Sequence, residues 1–201
     1  MIKVNDSLIE VQKKQQRSDF NFVIFLLVAA LVISSMTVIN NNLIKSVYVS
    51  GPSMMSTLHN QDVLFMDVHA KSQNGDIIVI DGEKKNGTWI IKRQIAVGEK
   101  DRKVIVEIKG GMVYVDGVML DEPYLDDGVV TIASDKHYWE LKEDEIFYLG
   151  DNRGNSSDSR LFEYDTCTRD QVVGVVKDWA LEVRWLSKAL YNVGEYFRKL
   201  F

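Results

Sequence analysis

The apolar positions of the chain fall into three regimes. Phe22 to Ile39 reads FVIFLLVAALVISSMTVI, a run without charge in which Ser34, Ser35 and Thr37 are the only polar members. As a helix this run rises about 27 Å, close to a hydrocarbon core of roughly 30 Å. Phe20, Asn21 and Asn40 to Asn42 extend it toward both interfaces. Hydroxyls are tolerated there because they bond to carbonyls one turn back. The pattern predicts a membrane span over 20–42. A buried core helix is the bland alternative. A cleaved leader would show a shorter apolar stretch and a small-x-small site, where this chain continues Asn40-Asn41-Asn42-Leu43-Ile44-Lys45.

From Lys45 the pattern changes to short strands between turn signals. Expected strands are Val47–Val49, Asp62–Asp67, Gly75–Ile80, Thr88–Val97, Lys103–Ile108, Met112–Val115, Val118–Leu120, Glu140–Leu149 and Val172–Val176. Turns are signalled at Ser50-Gly51-Pro52-Ser53, at Asn86-Gly87 within Lys84–Thr88, at Gly110-Gly111, at Asp116-Gly117 and at Gly150–Gly154. The fold class predicted is mainly β, an antiparallel sandwich or partly open barrel rather than βαβ units. From Asp178 the period changes again. Val183, Leu186, Leu190, Val193, Phe197 and Leu200 recur every three or four residues, an amphipathic helix. Its aromatic residues Trp179, Trp185, Tyr191, Tyr196 and Phe201 suit a membrane interface as well as a protein surface. Charges at 182, 184, 188, 195, 198 and 199 count against a second span. The organisation expected is therefore 1–19 cytoplasmic segment, 20–42 transmembrane helix, 43–177 β-rich domain and 178–201 amphipathic helix.

Composition narrows the function. The 201 residues hold 24 Lys plus Arg and 29 Asp plus Glu, a net charge of −5. That balance excludes a nucleic-acid backbone as the main partner. One cysteine, Cys167, excludes an internal disulfide and any multi-cysteine zinc site. Lys13, Lys14 and Arg17 precede the apolar run, and the next basic residue is Lys45. The basic flank belongs in the cytoplasm, which puts the β-rich domain outside the cell membrane.

Ser53 and Lys92 are the candidates for chemistry. A serine needs a base, and the histidines His59, His69 and His137 stand in no nucleophile elbow or metal-ligand spacing. A lysine serves instead if burial keeps it neutral, and Trp89-Ile90-Ile91-Lys92 surrounds one with apolar neighbours. The alternation of Ile90, Lys92 and Gln94 is equally compatible with a lysine on a wet face.

Ser50-Gly51-Pro52-Ser53-Met54-Met55-Ser56-Thr57-Leu58 resembles the nucleophile box of the type I signal peptidases. Gly75-Asp76-Ile77-Ile78, Lys92-Arg93-Gln94-Ile95 and Gly150-Asp151-Asn152-Arg153-Gly154-Asn155-Ser156-Ser157-Asp158-Ser159-Arg160 resemble that family's later boxes, in its order. Asp121-Glu122-Pro123-Tyr124-Leu125 is similar to a segment of its Gram-positive members. The resemblance implies a signal-peptidase-like fold and a membrane-bound serine endopeptidase that removes signal peptides from exported preproteins. It implies Ser53 as nucleophile and oxyanion donor through its backbone N–H, Lys92 as general base, and Ser156 as the residue orienting Lys92. It implies Asp158 with Arg160, and Asp151 with Arg93, as supporting groups, and Met54, Gly51 and Pro52 as substrate-binding residues. No metal or cofactor is implied. The partners implied are exported preproteins and the lipid bilayer.

The chain also departs from the family pattern. Ser56 replaces a proline, and Ala96-Val97-Gly98-Glu99-Lys100 replaces Gly-Leu-Pro-Gly-Asp; Gly51, as in many Gram-positive members, offers no hydroxyl as a second oxyanion donor. Leu161–Gln171 lacks a familiar glycine. Such divergence suggests dedication to a few substrates, for example subunits of a surface structure. The alternatives are a catalytically silent, membrane-anchored assembly factor for exported subunits, and a Ser-Lys protease that cuts itself.

Overall fold

A computed structural model of the chain describes residues 2–42, 44–82, 88–134 and 136–200. It divides into two units, Met1–Leu43 and Ile44–Phe201. The first is one helix, α1 (Ile2–Asn42). Its stretch Lys14–Ser35 is long and apolar enough to cross a membrane. Phe20, Phe25, Leu27 and Leu31 are among the apolar side chains left outward and uncovered by protein. At 1.5 Å per residue the 41-residue helix is about twice as long as a hydrocarbon core is thick.

The second unit is built from β1 (Ile44–Tyr48), β2 (Val63–Asp67), β3 (Ile77–Ile80), β4 (Ile90–Val97), β5 (Val104–Lys109), β6 (Met112–Val115), β7 (Val118–Met119), β8 (Tyr138–Leu141), β9 (Glu145–Leu149), β10 (Cys167–Thr168) and β11 (Val172–Val176). Two helices close it, α2 (Asp178–Glu182) and α3 (Arg184–Leu200). Among the described residues the strands form a seven-stranded sheet, β1-β2-β11-β3-β4-β9-β10, and a four-stranded sheet, β7-β6-β5-β8. The larger sheet curls into a half-barrel, the mainly β, partly open barrel architecture that the sequence predicted. β3 and β4 lie at its middle, paired antiparallel from Ile77 opposite Arg93 to Ile80 opposite Ile90. The turn expected at Asn86-Gly87 lies outside the described residues.

Three apolar clusters hold the unit. One joins Met54, Leu58 and Ala180 to β1, β2, β3 and β11. A second packs Ile95, Phe147 and Leu149 against Trp139, Val106 and Val113 of the smaller sheet. A third gathers Ile78, Ile146, Tyr148 and Cys167. β4 therefore has apolar cover on both faces, and six consecutive residues, Ile91–Ala96, are buried.

Two expected elements differ in extent. The run expected as one strand over Glu140–Leu149 is two strands in different sheets. Between them Asp144 adopts φ +61, a left-handed turn that aspartate tolerates. The tail is two helices rather than one, because the chain breaks at Val183. The tail packs against its own unit. Ser187 donates from Oγ to the Val63 carbonyl, Trp179 stacks on Phe65, and Tyr191 meets Tyr48. Of the expected apolar stripe, Val183 is half-buried while Leu186, Leu190 and Val193 are exposed. The side chains at 197, 200 and 201 lie outside the described ones.

Candidate active site

Ser53 sits on the turn that follows β1. Gly51 takes φ +97, a conformation that favours glycine, and its N–H donates to Asn60 Oδ1 at 3.0 Å. The turn is clamped from the Gly150–Arg160 segment. Asn152 donates from its backbone N–H to the Ser53 carbonyl (3.0 Å) and from Nδ2 to the Pro52 carbonyl (3.1 Å). Gly150 permits this approach. A Cβ there would stand 2.4 Å from the Ser53 carbonyl oxygen and 2.2 Å from Ser156 Oγ.

Lys92 reaches Ser53 from the centre of β4. Its Nζ lies 2.9 Å from Ser53 Oγ and donates to the Ile91 carbonyl at 3.0 Å. Lys92 is only 5% exposed, so the wet-face reading of its alternation does not hold. The curl of the sheet and the turn after β1 cover the face that alternation alone left open. Burial pulls the Lys92 ammonium down from 10.5 to about 8. The carboxylates of Asp158 and Asp151 act in the opposite direction.

Two carboxylate–guanidinium pairs stand behind the lysine, both buried. Arg160 meets Asp158 through Nε and Nη2 at 2.7 and 2.9 Å. Arg93 meets Asp151 through Nε and Nη2 at 2.9 and 2.6 Å. Neither pair is the exposed surface contact that the turn-rich sequence there would ordinarily give. Asp158 also accepts from the Gly150 N–H at 3.0 Å, so one carboxylate ties the clamp to Arg160.

Several groups in this network were not singled out from the sequence. Thr57 donates to Asp151 Oδ2 at 2.5 Å, and Arg93 Nη1 donates to the Gly75 carbonyl at 2.7 Å. The Arg93 guanidinium lies 3.8 Å over the Tyr124 ring. Tyr124 donates to Glu122, whose carboxylate pairs with buried Arg153. Arg153 bonds in turn to the Gly150 carbonyl and to Thr131. The segment Asp121–Leu125 is thus locked to the site. Only family likeness marked it in the sequence, since its partners lie about thirty residues away along the chain.

Ser156 and the substrate residues are placed as follows. The Ser156 hydroxyl is buried without a hydrogen-bond partner among the described residues, close above Gly150. Met54 is 1% exposed and lines a cleft of about 240 Å³. Tyr48, Ser53, Trp89, Ile91 and Lys92 line the same cleft. Gly51 and Pro52 stand beside it in the turn. Of the departures from the family pattern, Gly98 has a structural reason. A Cβ there would stand 1.7 Å from the Lys142 carbonyl oxygen, so the strand end rests directly on the β8–β9 turn.

Residues 20–180 match the family described as signal peptidase, peptidase S26. Signal peptidase I S of Bacillus subtilis (strain 168) is 32% identical over 155 residues, covering 69% of this chain and 78% of that protein. Signal peptidase I of Bacillus amyloliquefaciens is likewise 32% identical over 155 residues, covering 69% of this chain and 77% of that protein. The crystal structure of a signal peptidase I from Enterococcus faecalis V583 shares 27% identity and a TM-score of 0.42, over 54% of this chain and 98% of that one.

Proposed function

The chain belongs to the signal peptidase family, peptidase S26, a family of membrane-bound serine peptidases, and from that premise we propose that Ser53 and Lys92 form its catalytic dyad. It is a single-pass membrane protein with its enzymatic domain outside the cytoplasm. The observation that carries the dyad reading is the 2.9 Å separation of Lys92 Nζ and Ser53 Oγ around a buried lysine.

Neutral Lys92 accepts the Ser53 proton as Oγ bonds to the scissile carbonyl carbon. The Ser53 backbone N–H stabilises the oxyanion that develops. The Lys92 ammonium then gives that proton to the leaving amine, the C–N bond breaks, and an ester to Ser53 remains. Water attacks the ester, its proton passes to Lys92 and back to Ser53 Oγ, and the acid product leaves. The Ile91 carbonyl holds the lysine amine in place, and the Ser156 hydroxyl, buried without a partner among the described residues, is the group proposed to orient it. The buried pairs Arg93–Asp151 and Arg160–Asp158 hold the clamp under the nucleophile. The substrate is an exported preprotein, its extended cleavage region lying in the cleft beside Ser53 and Met54, with small side chains nearest the scissile bond. Subunits of a surface structure are the dedicated substrates that its divergence suggests.

The test is cleavage by the purified full-length protein, in detergent, of an exported precursor encoded beside it. New amino termini are read by mass spectrometry for the parent, Ser53→Ala and Lys92→Ala. Cleavage after a small-x-small segment, lost in both variants, is expected. A folded parent that binds the precursor and leaves it intact would favour a silent assembly factor.

A further inference from the structure

Helix α3 lies wholly beyond the residues matched by the family, which end at 180. It nevertheless reaches the cleft. Ser187 pins it to the sheet through the Val63 carbonyl, and Val63 is the register partner of Tyr48. One turn along α3, the Tyr191 ring lies 6.1 Å from the Tyr48 ring, tilted by 33°. That distance falls within the range of attractive aromatic pairs. Val47 and Val49 point into the core, so alternation turns the Tyr48 side chain outward, where no core packing fixes it. Tyr191 supplies the missing neighbour.

Tyr48 and Trp89 are the two half-exposed aromatic residues lining the cleft that holds Ser53 and Lys92. A peptide laid there in extended form offers every second side chain to one wall. A small side chain leaves both rings wet, whereas a bulky apolar one covers them, and the gain follows the apolar area removed from water. We propose that Tyr191 is a positioning residue that fixes Tyr48 as one wall of a specificity subsite. Through it the enzyme prefers precursors with a bulky apolar side chain at the second, fourth or fifth residue upstream of the scissile bond, the first and third staying small. The inference rests on the Ser53–Lys92 reading of the cleft.

The test uses full-length protein in detergent and a set of peptides spanning a cleavage site. The second, fourth and fifth positions upstream each carry Ala, Leu or Phe in turn, with the first and third kept as Ala. At one of them the parent is expected to favour Leu or Phe over Ala by about tenfold in kcat/KM, expressed mainly in KM, the usual reach of a hydrophobic subsite. Tyr191→Ala should shrink that preference to about twofold, with KM moving more than kcat, and Tyr191→Phe should keep it, because the ring and not the hydroxyl makes the contact. Melting temperatures of the three proteins separate a lost wall from a lost fold. A preference that survives in folded Tyr191→Ala, or no preference in the parent, overturns the inference. Cleavage that persists in Ser53→Ala overturns instead the dyad reading on which it rests.

Discussion

Lys92 carries opposite demands at one nitrogen. Its ammonium titrates at about 8, so at pH 7 only about one molecule in ten holds the neutral amine. The cleavage rate of a peptide substrate is therefore expected to rise roughly tenfold per pH unit up to about 8 and then level off. A profile flat from pH 6 to 9 would remove Lys92 as the base. The stability effect has a definite sign. The folded value lies below the unfolded 10.5, so the buried ammonium costs stability below about pH 8, and the cost fades as pH rises toward 10.5. Lys92→Met is expected to abolish cleavage and to raise the unfolding free energy by about 3 kcal/mol at pH 7. Chemical denaturation at pH 7 and 10.5 checks this, since the gain should shrink at the higher pH. Gly150 is a second sensitive position. Gly150→Ala forces apart the Ser53 carbonyl and Ser156 hydroxyl, and a displacement of that order is expected to lower kcat about a hundredfold, with an unchanged circular dichroism spectrum.

The central strand and the Gly150–Arg160 segment work as a pair of elements. β4 presents Lys92 and Arg93 in succession, and the segment answers with Asp158 and Asp151. Asp151→Ala leaves the Arg93 guanidinium buried without its carboxylate, for an expected loss of about 3–5 kcal/mol, read as a fall in melting temperature. Strands with clear alternation and glycine turns, such as Met112–Val115, were legible in the sequence. The β8–β9 turn was not, because Lys142-Glu143-Asp144 contains neither glycine nor proline. β10, two residues long, carries no pattern at all. Ser53, Lys92 and the acidic and basic groups around them were legible through their resemblance to family boxes. The burial of Lys92 was not, because it comes from curvature that no local pattern encodes. Thr57, Glu122 and Tyr124 stood inside segments marked by family likeness, but their roles were not legible, because each meets a partner distant in sequence.

At the scale of the whole molecule, the span confines enzyme and precursor to one surface. Confinement raises effective concentration without adding a contact. A chain beginning at Ile44 is therefore expected to cleave a short peptide in solution within about twofold of the full-length rate. On a precursor held in vesicles it should lose about a hundredfold or more. Equal losses on both substrates would show that the first forty-three residues support the fold of the second unit rather than its encounter with substrate. The sole thiol of the chain offers a different kind of reading. Cys167 is 2% exposed and sits where β10 pairs with β9, two strands from Lys92. A thiol reagent reaches it only when that edge parts. The wild-type chain thus carries a single-site clock for local opening, readable by mass without any engineered label, and the rate at which it ticks gives the lifetime of the sheet's outermost seam.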